Sequence, residues 1–334
     1  MKVLDSIRAQ DYEHVEVIVS DDCSKDDSHT VIPKYLETSG LRYRYIWQEK
    51  NLGYDANLRA AMQAATGDYL FLLGNDDALA DARTLSSLAG QLEAHGRPAL
   101  AFGNSVPEDA DRSNPSKRAP ATKDVGSGPD VAARFFRSFT FVSGLIVSGD
   151  GFRAFDTDKY DGSIYVQTYL ASRLIASGGR LLLIDQLMVL QNINPDGEPD
   201  YRHTIWDVFR QKKWSLKLET GGLDELGRTA VEAILPQVIP SRHGHYVATI
   251  YRQLLIYPYP YWLWRYRSEG FPGRALNLAL GCFPAYLMRN VSSRGLKPFV
   301  LLPFWLASTV CGLLVPSFVI NRLKAAAYRF AKRL

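Results

Sequence analysis

Residues 67–77 read Gly67-Asp68-Tyr69-Leu70-Phe71-Leu72-Leu73-Gly74-Asn75-Asp76-Asp77, an apolar run that breaks abruptly into two adjacent carboxylates. Residues 69–73 have the length and the aromatic and aliphatic content of a buried strand, and Gly74-Asn75 supplies the turn chemistry that stops it. Asp76 and Asp77 therefore stand at a strand's carboxyl end, where open α/β sheets bind their ligands. Adjacent carboxylates repel each other unless a positive group lies beside them, and a hard divalent cation sharing phosphate oxygens is one solution. The same letters also suit a turn acid followed by a helix N-cap, since Asp is favoured in both places.

Outward from this stretch, strands and helices alternate. Residues 15–20 (VEVIVS) form a second buried strand, which runs into a second acid pair, Asp21-Asp22, followed by Cys23-Ser24. Residues 1–10 read as a short helix with Val3, Leu4 and Ile7 on one face. Residues 28–38 read as a helix that accepts Pro33 only in its first turn, residues 42–47 as an alternating strand, and residues 54–66 as an Ala-rich helix stopped by Gly67. Beyond the acid pair, Leu85, Leu88, Ala89 and Leu92 mark a helix closed by Gly96. This alternation predicts βαβ units and a mostly parallel sheet. Residues 104–130 shift to Pro, Ser, Asp, Lys and Gly, the composition of a long surface loop or lid. Order resumes with a helix (131–139), a strand (141–148), a helix (164–177) and a strand (180–184). A polar turn (192–200) follows, then helices at 203–218, 224–235 and 245–256.

The chain has 334 residues, enough for two unequal parts. Its three cysteines, Cys23, Cys282 and Cys311, have neither zinc spacing nor a disulfide pattern, which fits a reducing compartment. The start lacks the apolar core of a signal peptide. The formal charge of +4 hides an asymmetry: residues 251–334 hold 12 Lys and Arg against one acid, Glu269. That block also holds 16 aromatics and an uncharged run of 22 residues, 299–320, so it favours an anionic membrane surface over nucleic acid. Residues 257–264 (YPYPYWLW) read as an interfacial girdle or as a core cap. The uncharged run is long enough to span a bilayer as one helix. Pro303, Pro316 and the basic flanks on both sides fit a re-entrant or surface-lying hairpin at least as well. The tail 320–334 reads as a basic amphipathic helix.

Taken together, Asp21-Asp22-Cys23-Ser24-Lys25-Asp26, Asn51-Leu52-Gly53, Asn57, Ala65-Thr66-Gly67-Asp68-Tyr69 and Asn75-Asp76-Asp77 stand in an order that resembles the family 2 glycosyltransferases. The resemblance covers residues 1 to about 195. Residues 53–57 and 141–147 look most like the abequosyltransferase group of O-antigen enzymes. It implies a GT-A fold over residues 1–200; the residue patterns beyond it give a helical extension over 201–256 and a membrane-associating region over 257–334. It further implies an inverting transfer of sugar from a nucleotide donor to a lipid-linked or polysaccharide acceptor at the cytoplasmic face of the membrane. By position, Asp21 or Asp22, with Asn51, Gly53, Asn57, Asn75 and Asp76, would bind the nucleotide sugar. Asp76 and Asp77 would hold Mg²⁺ or Mn²⁺ against the diphosphate.

Three departures from the family pattern stand out. The family's opening strand is absent, which implies a start upstream of Met1. Gly74 replaces the leading acid of the D-x-D motif. The family's Glu-Asp pair aligns near Val166-Gln167, and because an amide cannot accept a proton at neutral pH, Asp161 is the substitute base. Asp161 reads equally well as a turn residue before Gly162. These departures also suit a rival reading, a non-catalytic relative that binds a nucleotide sugar or scaffolds an assembly. His243-Gly244-His245 reads as surface histidines rather than a metal site. Arg202 and His203 occupy the region where relatives contact phosphate or acceptor.

Overall fold

The computed structural model describes residues 1–108, 118–193, 218–291, 296–316 and 319. The expected helix over 203–218 up to residue 217, with Arg202 and His203, most of the turn at 192–200 and the whole tail at 320–334 lie outside them. Two units partition the chain, Met1–Asp207 and Val208–Leu334.

The first unit follows the alternation expected from sequence: α1 (Lys2–Arg8), β1 (Glu16–Asp21), α2 (Ser28–Ser39), β2 (Arg42–Trp47), α3 (Tyr54–Ala64), β3 (Tyr69–Leu72), β4 (Ala78–Leu79) and α4 (Thr84–Ala94). Then come β5 (Leu100–Pro107), β6 (Lys123–Asp124), α5 (Pro129–Phe135), β7 (Leu145–Ser148), α6 (Gly149–Phe155), α7 (Val166–Ala176) and β8 (Leu181–Gln191). Gly40, at φ 75°, ends α2 in the left-handed conformation that glycine adopts without steric cost. Pro33 lies inside α2, beyond its first turn, contrary to the sequence expectation.

The sheet is mixed rather than mostly parallel. β1 and β2 form a parallel pair of their own, while the main sheet runs β3-β7-β5-β8-β4, with β6 added alongside β8. Of its contacts only β5 with β8 is parallel; β3 with β7, β5 with β7, β4 with β8 and β6 with β8 are antiparallel. The alternation of elements misleads here because β7 enters from a turn at Val142 to Gly144 rather than from a right-handed crossover, and so inserts in the reverse sense. β5 begins in residues the pattern leaves unassigned and ends in residues it reads as loop. Its burial is nearly continuous, as expected of a central strand covered on both faces. Leu88 and Leu92 of α4 pack over the sheet on Ala101, Ile146, Leu182, Ile184, Met188 and Val189. A bulge between Phe102 and Asn104 of β5 bends the central pair. Gly103 is required there, since a Cβ would lie 2.6 Å from the Met188 sulfur.

The second unit is helical: α8 (Leu223–Ile234), α9 (His243–Ile256), α10 (Pro258–Ser268), α11 (Pro272–Gly281), α12 (Pro284–Leu287) and α13 (Leu302–Leu314). Proline opens four of these in the first turn, where its missing N–H costs nothing. The aromatic stretch at 257–264 becomes α10, with Tyr259 and Leu263 fully buried and Tyr257 exposed, so part of it is core. In place of a span, the uncharged run folds as a short 3₁₀ turn and the 13-residue α13. At 1.5 Å per residue α13 is ~20 Å long, against ~30 Å of hydrocarbon. No helix among the described residues is long and apolar enough to cross a membrane. One side of α13 is locked to α10: Gly312 sits where a Cβ would lie 2.6 Å from Leu263 Cβ, and Arg267 donates to the Leu313 and Val315 carbonyls that end the helix. Leu306, Val310 and Leu314, spaced four apart, remain exposed on α13.

Candidate functional site

The apolar run ends as its sequence predicts. β3 stops at Leu72, and residues 74–77 close a turn in which Asp77 N–H donates to the Gly74 carbonyl. Asn75 is exposed at the tip, Asp76 is half-buried, and Asp77 is only 4% exposed. A Cβ on Gly74 would lie 2.9 Å from Asp76 Oδ1, 3.3 Å from Ser143 Oγ and 3.6 Å from Asp77 Oδ2. One oxygen of each acid thus converges on the space that the glycine leaves open. The vacated leading position of the motif has been taken up by the carboxylates that follow it.

The rest of the turn's surroundings come from distant sequence. Ser143, fully buried at the start of β7, accepts the Gly74 N–H at 2.9 Å and supports the ionised form of Asp77 through its hydroxyl. The Asn192 N–H, just after β8, donates to Asp77 Oδ1 at 3.2 Å, and the Ile193 N–H donates to the Asp76 carbonyl. Burial pushes the Asp77 carboxyl up to about 6, and the Asp76 charge adds to the rise; Ser143, the Asn192 N–H and the positive charge of Arg118 act against it. A buried acid poised this far above its ordinary range awaits a positive partner, and such perturbed groups concentrate at functional sites.

The donor set fits a divalent cation of the Mg²⁺ or Mn²⁺ type. Two hard carboxylates lie beside the Gly74 space. Such ions take one or two protein carboxylates and complete their shell with phosphate oxygens and water, whereas a zinc site needs a fuller protein set.

The remaining sequence candidates divide by geometry. Asp21 is buried, with Oδ1 accepting the Ser24 N–H at 2.8 Å and Oδ2 accepting the Tyr45 hydroxyl at 2.8 Å. Asp22 reaches the other way and accepts the N–H groups of Leu52 (2.6 Å) and Gly53 (2.9 Å). Asn51 donates to the Asp22 carbonyl, and Gly53 turns at φ 82°. Asp22, Asn51 and Gly53 thus form one loop cluster at the end of β1. Asn57 is spent on β1, accepting from Ser20 Oγ at 2.6 Å and donating to the Ser20 carbonyl.

Asp161 follows a 3₁₀ turn and accepts from Arg59 Nη1 at 2.8 Å, while the same guanidinium holds Asp156 at 2.7 Å. Burial holds the Asp161 carboxyl above its ordinary range even with Arg59 beside it. Its ion pair joins it to Arg59, not to the Asp76–Asp77 turn. Gln167 lies in the first turn of α7, 3% exposed, with Nε2 donating to the Thr140 carbonyl at 3.3 Å and Oε1 without a partner. A carboxylate could not make that bond. Asp55, 1% exposed, accepts the Ile164 and Val166 N–H groups and so caps α7 from α3. His243 Nε2 donates to the Val238 carbonyl at 2.9 Å, and His245 packs on Tyr246.

Sequence patterning missed Ser143, Arg118 and the Asn192 N–H. Ser143 lies in a stretch that the family resemblance marks, but nothing in the Pro- and Lys-rich segment around Arg118 distinguishes it from loop.

The family model described as Glycosyl transferase family 2 matches residues 2–144. An uncharacterised protein of Mycobacterium tuberculosis is 26% identical over 302 residues, spanning 88% of this chain and 79% of that protein. Abequosyltransferase RfbV of Salmonella typhimurium is 27% identical over 195 residues, 54% of this chain and 58% of that enzyme. Among solved structures, S. aureus TarS 1–349 in complex with UDP-GlcNAc superposes with a TM-score of 0.60 at 17% identity, covering 93% of this chain and 84% of that one. At this identity the likeness establishes the fold, a GT-A-like α/β arrangement.

Proposed function

Since the chain is a glycosyltransferase that carries a family 2 domain over residues 2–144, we propose that it moves a sugar, with inversion, from a nucleoside-diphosphate donor to a lipid-linked or polysaccharide acceptor. The observation that carries this reading is the convergence of the Asp76 and Asp77 oxygens over the Gly74 space at the end of β3. Asp76 and Asp77 would hold Mg²⁺ or Mn²⁺ at the diphosphate. When bound, the cation supplies Lewis-acid neutralisation of the charge that develops on the leaving group. The Asp22, Asn51 and Gly53 cluster takes the nucleoside end, with the half-buried Asp22 rather than the buried Asp21 as the base-facing acid. Asp161 accepts the acceptor hydroxyl proton, a role helped by a carboxyl that burial keeps above its ordinary range.

A Campylobacter jejuni relative named as a GalNAc(5)-diNAcBac-PP-undecaprenol β-1,3-glucosyltransferase, 30% identical over 109 residues and 32% of this chain, supports a lipid-linked acceptor. The uncharged, exposed side of α13 and the basic bias of residues 251–334 support placement on the cytoplasmic face of an anionic membrane. Donor turnover with added Mn²⁺ or Mg²⁺ tests the reading. Asp76→Ala should lower it at least a hundredfold, and chelation of the metal should do the same. Turnover that is indifferent to both would remove the metal from the site. Nucleotide binding with no transfer to any lipid-linked glycan would favour the scaffold reading instead.

A further inference from the structure

Arg118 is a half-buried cation with no carboxylate in hydrogen-bonding contact among the described residues. Its guanidinium donates to four backbone carbonyls: Nε to Gly103 (3.2 Å), Nη1 to Ser138 (3.3 Å) and Phe141 (3.1 Å), and Nη2 to Ser143 (3.0 Å). It also lies over the rings of Phe102 and Phe141, at 5.3 and 4.9 Å from their centroids. Its own backbone neighbour is fixed. Asn104, buried on β5, exchanges two hydrogen bonds with Ala119, at 2.8 and 2.9 Å. The fork is therefore anchored to the central strand and reaches from there to the segment that precedes β7.

Three of the four carbonyls belong to residues 138–143, and Gln167 takes a fourth in that segment, Thr140. Ser143 ends this segment, and its hydroxyl accepts the Gly74 N–H at 2.9 Å, at the start of the turn that carries Asp76 and Asp77. A core arginine serving only packing would be better replaced by an apolar side chain, because taking a guanidinium out of water is costly unless its geometry does something an apolar group cannot. Burial indeed pulls the Arg118 group down to about 10, and the opposing influence is the charge of Asp77. Planar, fixed donors that gather several carbonyls are what arginine offers and lysine does not.

We propose that Arg118 is a positioning residue for the Gly74–Asp77 turn: by gathering the carbonyls of Ser138, Phe141 and Ser143 it fixes the Ser143 hydroxyl that accepts the Gly74 N–H. Gln167 supports the same segment through Thr140, which gives the amide a structural task at that position. The inference rests on the assignment of Asp76 and Asp77 to a divalent cation.

Calorimetric titration of Mn²⁺ into the full-length protein, in the presence of UDP or GDP according to which the wild type binds, reads the effect without turnover. Groups that orient metal ligands typically contribute 10- to 100-fold in affinity. Arg118→Lys, which keeps the charge but loses the fork, and Ser143→Ala should each weaken Mn²⁺ about tenfold. Because one acts through the other, the double variant should be little worse than the weaker single variant. Thermal melts establish that each variant is folded; should Arg118→Lys fail to fold, Ser143→Ala decides alone. Wild-type affinity in Ser143→Ala, or fully additive losses in the double variant, would overturn the proposal. Asp77→Asn separates the two levels. If it leaves Mn²⁺ affinity unchanged, the metal assignment itself falls. If it weakens Mn²⁺ while Arg118→Lys and Ser143→Ala do not, only the positioning role is lost.

Discussion

Replacing Asp77 with Asn should make the ligand-free protein more stable at neutral pH while destroying its activity. The Asp77 carboxyl is raised from 3.8 to about 6, chiefly by burial, so the folded state binds its proton more tightly than the unfolded chain does. The sign follows from linkage. A raised carboxyl supports the fold below the unfolded value and loses that support as pH climbs through the folded one, so the affected window is pH 4 to 6 and above. With these two values the ionisation of Asp77 costs about 0.5 kcal/mol at pH 4, about 2 at pH 5.5 and about 3 at pH 7. Asn carries no charge and keeps an oxygen for the Asn192 N–H, so it escapes this cost. Any change in hydrogen bonding enters as a pH-independent offset. Urea unfolding of both proteins in chelator at several pH values between 4 and 8 measures the difference. The stability of Asp77→Asn relative to wild type should rise by about 2.5 kcal/mol between pH 4 and 7. A difference that stays flat with pH, or that moves the other way, would refute the burial argument. Adding Mn²⁺ and nucleoside diphosphate should then reverse the order, because binding to the ionised pair stabilises only the wild type.

Other perturbations follow from the same geometry. Gly74→Ala places a methyl group 2.9 Å from Asp76 Oδ1 and should lower donor turnover about tenfold or more by displacing that oxygen, with a melting temperature close to wild type, read by paired kinetics and thermal melts. Asp161→Asn should reduce kcat by about 10² to 10⁴ with the donor KM unchanged, and a kcat within twofold of wild type would move the base elsewhere. On α13, Leu306→Glu together with Val310→Glu places charge on exposed positions away from the buried Gly312 contact, so folding should persist while flotation with anionic liposomes is lost.

The sequence by itself determined most of the elements, though not β5, β6 or α6, and the identity of the chemical ends. The 69–73 run, its Gly-Asn stop and the two acids after it are local signals: burial preference, turn conformation and charge are properties of adjacent residues, so β3 and its carboxylates stand where the pattern puts them. The Gly96 stop just beyond α4, at φ 67°, is equally local. Sheet sense was not legible, because pairing depends on which distant edge a strand meets, and β7 meets two neighbours antiparallel. Nor was the division of labour among polar residues. Asp21 and Asp22 are neighbours of one type, yet Tyr45 and Ser24 satisfy the first while the amides of Leu52 and Gly53 engage the second. Gly74 reads in sequence as a lost ligand; in three dimensions it is the space over which Asp76 and Asp77 converge. Arg118 and Ser143 reach that space from outside the stretch altogether, since a side chain's partners are set by packing and hydrogen-bond geometry that only the folded chain supplies.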